Sequence, residues 1–161
     1  MSEDAPSRSR LVSIELDEQS ITRSNPNIEH EREVAIYDII DSNHFVLEGH
    51  DDGPYTLNLS ITEDRLAFAV GRETGETLAT FVLSLSPLRR TMKDYFIVCD
   101  NYYKAIRTSP PSRIQAIDMG RRALHDEGSN LLVSRLKDKI TVDHDTARRL
   151  FTLICALHWK G

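Results

Sequence analysis

The sequence predicts an α+β domain: an antiparallel β-meander preceded by one strand and one helix and followed by three C-terminal helices. Over residues 12–16, and in several segments between positions 45 and 85, apolar residues alternate with polar ones, which is the period of half-buried strands. From position 86 onward they recur at helical spacing. The chain of 161 residues has the usual length of one domain. We expect a disordered tail over residues 1–10, which lack apolar periodicity, and a single α+β domain over residues 11–161.

A strand and a helix precede the predicted meander. Val12, Ile14 and Leu16 alternate with polar residues and predict a strand with one buried face. Asn25 and Pro26 are typical of the N-cap and first position of a helix, which we expect to end near residue 41. The apolar positions at helical spacing in this segment are Ile28, Ala35, Ile36, Ile39 and Ile40.

Four strand-like segments follow, and we expect them to pair as the antiparallel meander. They lie at residues 45–47, 55–62, 66–70 and 77–85, and turn residues separate them, as in the His-Asp-Asp-Gly-Pro stretch at 50–54. One face of this sheet must be covered, because apolar side chains occupy every second position.

The next two predicted elements are long helices. Ser86 and Pro87 indicate the cap and first position of a helix that ends before residues 109–111. A second helix begins near Ser112, and Gly128 is a candidate for a kink or an interruption within it.

A short edge strand at residues 140–142 and a final helix complete the fold. Asp143 or Asp145 is expected to cap this helix, whose apolar residues cover a wide arc and predict deep burial. Across the three helices, the residues we place in the core are Met92, Phe96, Cys99, Tyr103, Leu153, Ile154 and Leu157.

Charge is segregated along the chain. Residues 1–87 carry 6 Lys/Arg and 17 Asp/Glu, a balance of −11, whereas residues 88–161 carry 14 Lys/Arg and 8 Asp/Glu, a balance of +6. Such a distribution either pairs internally or presents a basic surface to an anionic partner.

Composition and motifs favour a cytoplasmic protein without a cofactor. The opening residues lack the apolar run of a secretory signal, and no apolar stretch approaches the roughly 20 residues that span a bilayer. Cys99 and Cys155 each lie in an apolar helical pattern, which predicts two reduced, buried thiols. The histidines form no HxH, HxxxH or HExxH pair, so we expect no metal site, and phosphate-cradling and nucleophile-elbow motifs are absent.

A basic cluster on the first C-terminal helix is the best candidate site. Cations in the first turn of a helix are disfavoured by its dipole unless an anion is present, and free backbone N–H groups there suit a phosphate or carboxylate. The alternative is that the cluster is solvated or paired with acidic residues of the first 87 positions. Its members are Arg89, Arg90, Lys93, Lys104 and Arg107.

Other arginines and one apolar residue stand out from their patterns. Arg121 and Arg135 fall on the apolar stripe of the second long helix, which favours a structural ion pair. Arg148 and Arg149 begin the last helix, where neighbouring aspartates are expected to neutralise them. Ile97 points away from its helix's apolar stripe, either to solvent or toward a second packing partner.

Two segments, SPLRRTMKDYFIVCDNYYKAI at residues 86–106 and DTARRLFTLICALHWKG at residues 145–161, resemble an uncharacterised protein family of alphaproteobacteria. The resemblance extends over most of the chain beyond its first ten residues. It implies a small cytosolic bacterial protein, and it assigns neither an activity nor a site residue.

The functional hypothesis is a non-enzymatic binding or regulatory protein that uses the basic helical face. RNA binding is the first alternative, because a helix, a meander and a helix with a basic start are similar to double-stranded-RNA-binding domains. An enzyme that clamps a phosphorylated metabolite is the second. The expected partner is an anionic molecule or a protein, self-association is a further alternative, and no membrane partner is expected.

Overall fold

The structure is a computed structural model, and it describes residues 8–50 and 53–158. It has the predicted α+β architecture, with three helices at the C-terminus. The elements in chain order are β1 (Leu11–Leu16), α1 (Pro26–Asp41), β2 (Phe45–Leu47), β3 (Tyr55–Thr62), β4 (Arg65–Arg72), β5 (Thr77–Ser84), α2 (Ser86–Thr108), α3 (Pro111–Leu136), β6 (Ile140–Val142) and α4 (His144–His158).

The main sheet has four strands in the order β1-β3-β4-β5. β3, β4 and β5 form the antiparallel meander, whereas β1 runs parallel to β3. The prediction that β2 belongs to the meander is wrong: β2 pairs antiparallel with β6 in a separate two-stranded sheet, with Phe45 opposite Val142. Both strands are only three residues long.

The buried side of β1 also differs from the predicted alternation. Leu11 and Ile14 are buried, whereas Val12 and Leu16 are half-buried. The cause is a shift in register between Leu11 and Ser13, which breaks the period of two that the sequence pattern assumes.

Main-chain contacts extend to residues placed in the predicted tail. The Ser9 carbonyl accepts a hydrogen bond from Phe45 N at 2.9 Å, and the Arg10 carbonyl accepts one from Tyr55 N at 2.8 Å. Arg8 donates from Nε to the Gly53 carbonyl at 2.8 Å. Residues 8–10 are therefore attached to the sheet, and the rest of the predicted tail lies outside the described residues.

Helix starts follow the sequence signals at two of the predicted caps. The Asn25 side chain accepts a hydrogen bond from Ile28 N at 2.9 Å, and Pro26 occupies the first turn of α1. Asp143 accepts from Thr146 N at 2.9 Å at the start of α4. Both caps satisfy N–H groups that a helix leaves open at its first turn.

One face of the meander packs against the helices in a single core. Most inward residues of β3 and β4 are buried, and the residues between them point to the opposite face, where most are half-buried or exposed. α4 has more buried residues than any other described helix, as its wide apolar arc predicts. Its buried residues are Thr146, Ala147, Leu150, Phe151, Leu153, Ile154, Cys155 and Leu157.

Gly128 does not interrupt α3, so the predicted alternative of an interrupted helix is wrong. The helix continues through it to Leu136, and the buried Gly128 faces the ring of Phe151 on α4. A Cβ atom at this position would overlap the Phe151 ring. The glycine is therefore required for close packing of α3 on α4.

The core prediction fails at the far end of α2. Met92 and Cys99 are buried, but Phe96 is half-buried and Tyr103 is 61% exposed. Between Asp100 and Leu124, only Ala105 is buried. We call residues 100–124 the distal hairpin. Its apolar stripe continues where neither the sheet nor α4 covers it.

Candidate interaction surface on the second helix

The first turn of α2 has few free backbone donors, contrary to expectation. Leu85 is the N-cap residue and provides no side-chain cap, so the prediction of Ser86 as cap is wrong. Leu88 N and Arg89 N donate to the Leu85 carbonyl at 3.0 and 2.9 Å, and Ser86 N donates to Ser84 Oγ at 3.3 Å. Pro87 has no N–H group. An external phosphate would therefore find these amides already bonded.

Asp64, in the turn between β3 and β4, supplies an anion to this helix start. Its carboxylate forms an ion pair with Arg89 and accepts a hydrogen bond from Ser86 Oγ at 3.4 Å. Its carbonyl accepts a hydrogen bond from Leu85 N at 3.0 Å. A negative charge at this position compensates the positive end of the helix dipole. Internal pairing of the two charged halves thus holds for Arg89.

The other four cations of the predicted cluster are exposed along α2. Lys104 Nζ lies 2.9 Å from Asp100 Oδ2, one turn earlier on the same helix. Arg90, Lys93 and Arg107 form no ion pair with a carboxylate in the described part of the chain. Three positive charges on this helix therefore remain available to a partner.

Exposed apolar surface accompanies these charges. Ile97 is 52% exposed and lies on the same side of the helix as Arg90, Lys93 and Lys104, because these positions fall within about 60° of it on a helical wheel. Ile106, next to Arg107 in the distal hairpin, is 49% exposed but lies on the opposite side of the helix from Ile97. We call the set Arg90, Lys93, Ile97, Lys104 and Arg107 the outer face of α2.

A groove between α2 and α3 adjoins the outer face. Its volume is about 430 Å³, and Lys104 and Arg113 contribute cationic side chains to its lining. Arg113 was absent from the predicted cluster, although its place in the first turn of α3 repeats the signal that identified Arg89. The remaining lining residues are Val98, Asn101, Ala105, Thr108, Ser109, Ile117 and Gly120.

Arg121 confirms the prediction of a structural ion pair. Its guanidinium donates to Asp118 Oδ1 from Nη2 at 2.6 Å and from Nε at 3.1 Å, and it lies 5.2 Å from the centre of the Tyr102 ring. The hydrogen bond from Arg121 lowers the pKa of Asp118. The carboxylate belongs to the same helix and not to the acidic half. Arg135 is exposed and makes no ion pair among the described residues.

Arg148 and Arg149 of α4 contact partners other than the neighbouring aspartates that were predicted. Arg148 Nη1 lies 3.0 Å from Asp126 Oδ1 on α3, and Arg149 donates to the Ser42 carbonyl at 3.0 Å. The packing of α4 against α3 and α1 brings these groups together, whereas Asp143 is engaged as the helix cap.

Arg32 is a buried structural arginine that the sequence analysis missed. Its guanidinium donates to the carbonyls of Ala156 and Leu157 at the end of α4, at 3.1 and 3.3 Å, and pairs with Glu29 at 3.3 Å. A cation at the C-terminal end of a helix is favoured by its dipole. The available signal was its position on the apolar stripe of α1, four residues after Ile28.

Buried titratable groups lie between α2, α3 and α4. Burial, followed by the charge of Arg148, lowers the pKa of His125 to about 4. Its Nε2 lies 2.7 Å from Thr152 Oγ1, and its ring packs edge-on against Tyr95 and Phe151. Burial also raises the pKa of Cys155. Cys99 and Cys155 are free, buried thiols, as predicted.

No chemical centre is evident within the part of the chain that the structure describes. Residues 8–50 and 53–158 hold no group of three or more His, Cys, Asp or Glu side chains placed to bind a metal ion. The described lining of the α2–α3 groove offers cations, hydroxyls and an amide, but neither a carboxylate nor an imidazole. This arrangement can bind an anion or an acidic chain, and it lacks a general base.

Comparison with known proteins agrees with the resemblance seen in the sequence. The model of an uncharacterised protein family, UPF0262, matches residues 8–160. The chain belongs to this family. Relatives named UPF0262 protein include one from Rhodopseudomonas palustris strain BisB5, 58% identical over 96% of this chain and 95% of the relative. Another, from Nitrobacter winogradskyi, is 56% identical over 100% of this chain and 99% of the relative. A third, from Brucella canis, is 59% identical over 100% of both chains.

The description of this family names no activity. No solved structure matches this chain. Among the described helices, none combines the length and apolar character needed to cross a membrane.

Proposed function

We propose that this protein is a non-enzymatic binding protein whose outer face of α2 docks an acidic protein segment. One observation carries the proposal: Arg90 and Lys93 are exposed without carboxylate partners among the described residues, and they share a side of α2 with the exposed Ile97. On the same side, Lys104 lines a groove of about 430 Å³. An acidic segment would pair with Arg90, Lys93 and Arg107. An apolar side chain of the same segment would enter the groove beside Lys104.

Two features favour a protein segment over RNA. Arg89, the first residue of the basic cluster, is already paired with Asp64. Ile97 adds apolar contact area, which matters in the buried centre of protein interfaces and contributes little against phosphates.

A cytoplasmic location accompanies the proposal. It is supported by the two free cysteines, since buried reduced thiols are usual in a reducing compartment.

Site-specific cross-linking tests the proposal. A photo-reactive amino acid replaces Ile97 in the full chain, expressed in a bacterium that carries a family member. The same group at Val34, exposed on α1, is the positional control. We expect position 97 to capture an acidic protein that position 34 does not, and capture to survive nuclease treatment.

Charge reversal then tests the cations with the identified partner. The variant Arg90→Glu/Lys93→Glu/Arg107→Glu should weaken binding at least about tenfold, because attraction at three positions becomes repulsion. The matched control Arg23→Glu/Arg65→Glu/Arg135→Glu makes the same change in net charge at exposed positions elsewhere. Equal loss in both variants, or nuclease-sensitive capture of RNA at position 97, would contradict the proposal.

A further inference from the structure

The free edge of β5 is a second surface, on the strand that directly precedes α2. β5 is the last strand of the main sheet and pairs with β4 on one side only. Within residues 8–50 and 53–158, no further strand pairs with its other side. Alternate residues of this eight-residue strand thus present main-chain N–H and C=O groups along an open edge, a template on which another strand can pair.

This edge lacks the features that normally prevent strand pairing. The sequence of β5, TLATFVLS, has no charged residue and no proline, and it is rich in residues that favour strands. Val82 is 52% exposed. The bulge at Val70–Gly71 falls only at the first residues of β5, so the rest of the edge is regular.

The opposite edge of the same sheet is protected. The Asn43 side chain accepts a hydrogen bond from Leu11 N at 2.7 Å and donates one to the Leu11 carbonyl at 3.0 Å. Both main-chain groups of Leu11 in β1 are therefore already bonded. β1 also carries the exposed charge of Glu15 and packs beside α1. The fold therefore closes one edge of the sheet and leaves the other open.

We infer that β5 pairs antiparallel with β5 of a second copy of this chain, joining two four-stranded sheets into one of eight strands. The strand is self-complementary about Phe81: in that register Thr80 lies opposite Val82 of the second copy, and Ala79 lies opposite Leu83. Residues that face the helices then remain on one side of the joined sheet, since directly opposed residues share a face.

Charge at the two ends of β5 supports this occupant. The turn before β5 carries the exposed Glu73, and α2 begins directly after β5 with the exposed Arg90 in its first turns. Antiparallel pairing about a two-fold axis brings the acidic turn of each copy toward the basic helix start of the other. A parallel arrangement would set like charges side by side.

Paired variants on the exposed face of β5 test the register. Thr80 and Val82 are exposed, so substitution there spares the core of the monomer. Sedimentation from about 1 μM to about 500 μM should show a dimer for the wild type. Thr80→Lys/Val82→Lys places like charges opposite each other and should raise the dissociation constant at least about tenfold. Thr80→Glu/Val82→Lys places opposite charges in register and should restore the dimer.

Hydrogen exchange of the wild type tests the same edge without substitution. Amides of residues 77–84 should exchange more slowly at high than at low protein concentration, with no such change over residues 11–16. A wild type that is monomeric throughout overturns the inference. A dimer that persists unchanged in the Thr80→Lys/Val82→Lys variant also overturns it. So does a wild-type dimer in which the β5 amides exchange no more slowly than in the monomer.

Discussion

The Asp64 carboxylate, in the turn that joins β3 to β4, is ion-paired with the Arg89 guanidinium in the first turn of α2. Asp64 belongs to the acidic half of the chain and Arg89 to the basic half. The anion that the start of α2 requires is therefore internal. It ties the meander to the helical hairpin and leaves the remaining cations of α2 for other contacts.

Replacing Asp64 with Asn should weaken this tie without disturbing the turn. Asp64 has a φ of 67°, a conformation that Asn tolerates well. Because both side chains are partly exposed, the coupling free energy between Asp64→Asn and Arg89→Ala should be only about 0.5 kcal/mol. Urea unfolding of the two single variants and the double variant measures it, and additive effects would show that the pair contributes nothing.

Gly128→Ala should destabilise the fold by about 2–3 kcal/mol, because the new methyl group would overlap the Phe151 ring. Gly120→Ala is the matched control in the same helix. Gly120 is exposed with no atom near its Cβ position, and Ala there should stabilise the helix by about 0.5–1 kcal/mol. Thermal or urea unfolding compares the two. Similar effects at both positions would show that α3 does not need the glycine for packing.

Arg32→Met should cost about 2–4 kcal/mol of unfolding free energy. The substitution leaves the Ala156 and Leu157 carbonyls at the end of α4 without their donor and leaves Glu29 unpaired. Arg23→Met, at an exposed position just before α1, should change the same quantity by less than about 0.5 kcal/mol. A loss at position 32 no larger than at position 23 would mean that the guanidinium is not structurally required.

Much of the fold follows from periodicity, whereas long-range pairing does not. The helices and the β3–β4–β5 meander could be predicted because neighbouring segments share a period and short turns. The pairing of β2 with β6 joins residues nearly a hundred positions apart, and no local pattern encodes it. The parallel direction of β1 is equally non-local.

The sequence could predict which cations belong to the candidate site, but not which residues they contact. Sequence spacing placed Lys93 and Lys104 on one side of α2, and charge segregation allowed internal pairing without naming Asp64. The exposure of Tyr103 was missed because an apolar stripe does not show where its covering layer ends. Arg32 was overlooked because its main partners are carbonyls of a distant helix end.

Acidification should destabilise the protein below about pH 6.5 through His125. Its pKa is about 4 in the folded state, against the usual value near 6.5 in an unfolded chain, because burial disfavours the charged imidazole. The unfolded state therefore binds more protons as the pH falls, so the stability present above pH 6.5 is lost toward pH 4. His158, whose pKa is also lowered by burial, acts in the same direction.

The measurement is the unfolding free energy of wild type, His125→Gln and His30→Gln at pH 7 and pH 5. Wild type and the exposed-site control His30→Gln should each lose about 1–2 kcal/mol of unfolding free energy between pH 7 and pH 5. Solvent screening keeps this loss below the value that the full pKa difference would give. His125→Gln has no proton to gain at this site, so its loss of unfolding free energy between pH 7 and pH 5 should be clearly smaller. At pH 7 it should be less stable than wild type, because the polar contact between His125 and Thr152 is altered. An equal loss in all three proteins would show that the imidazole of His125 is not excluded from water, and that the packing of its ring between Tyr95 and Phe151 does not determine its charge.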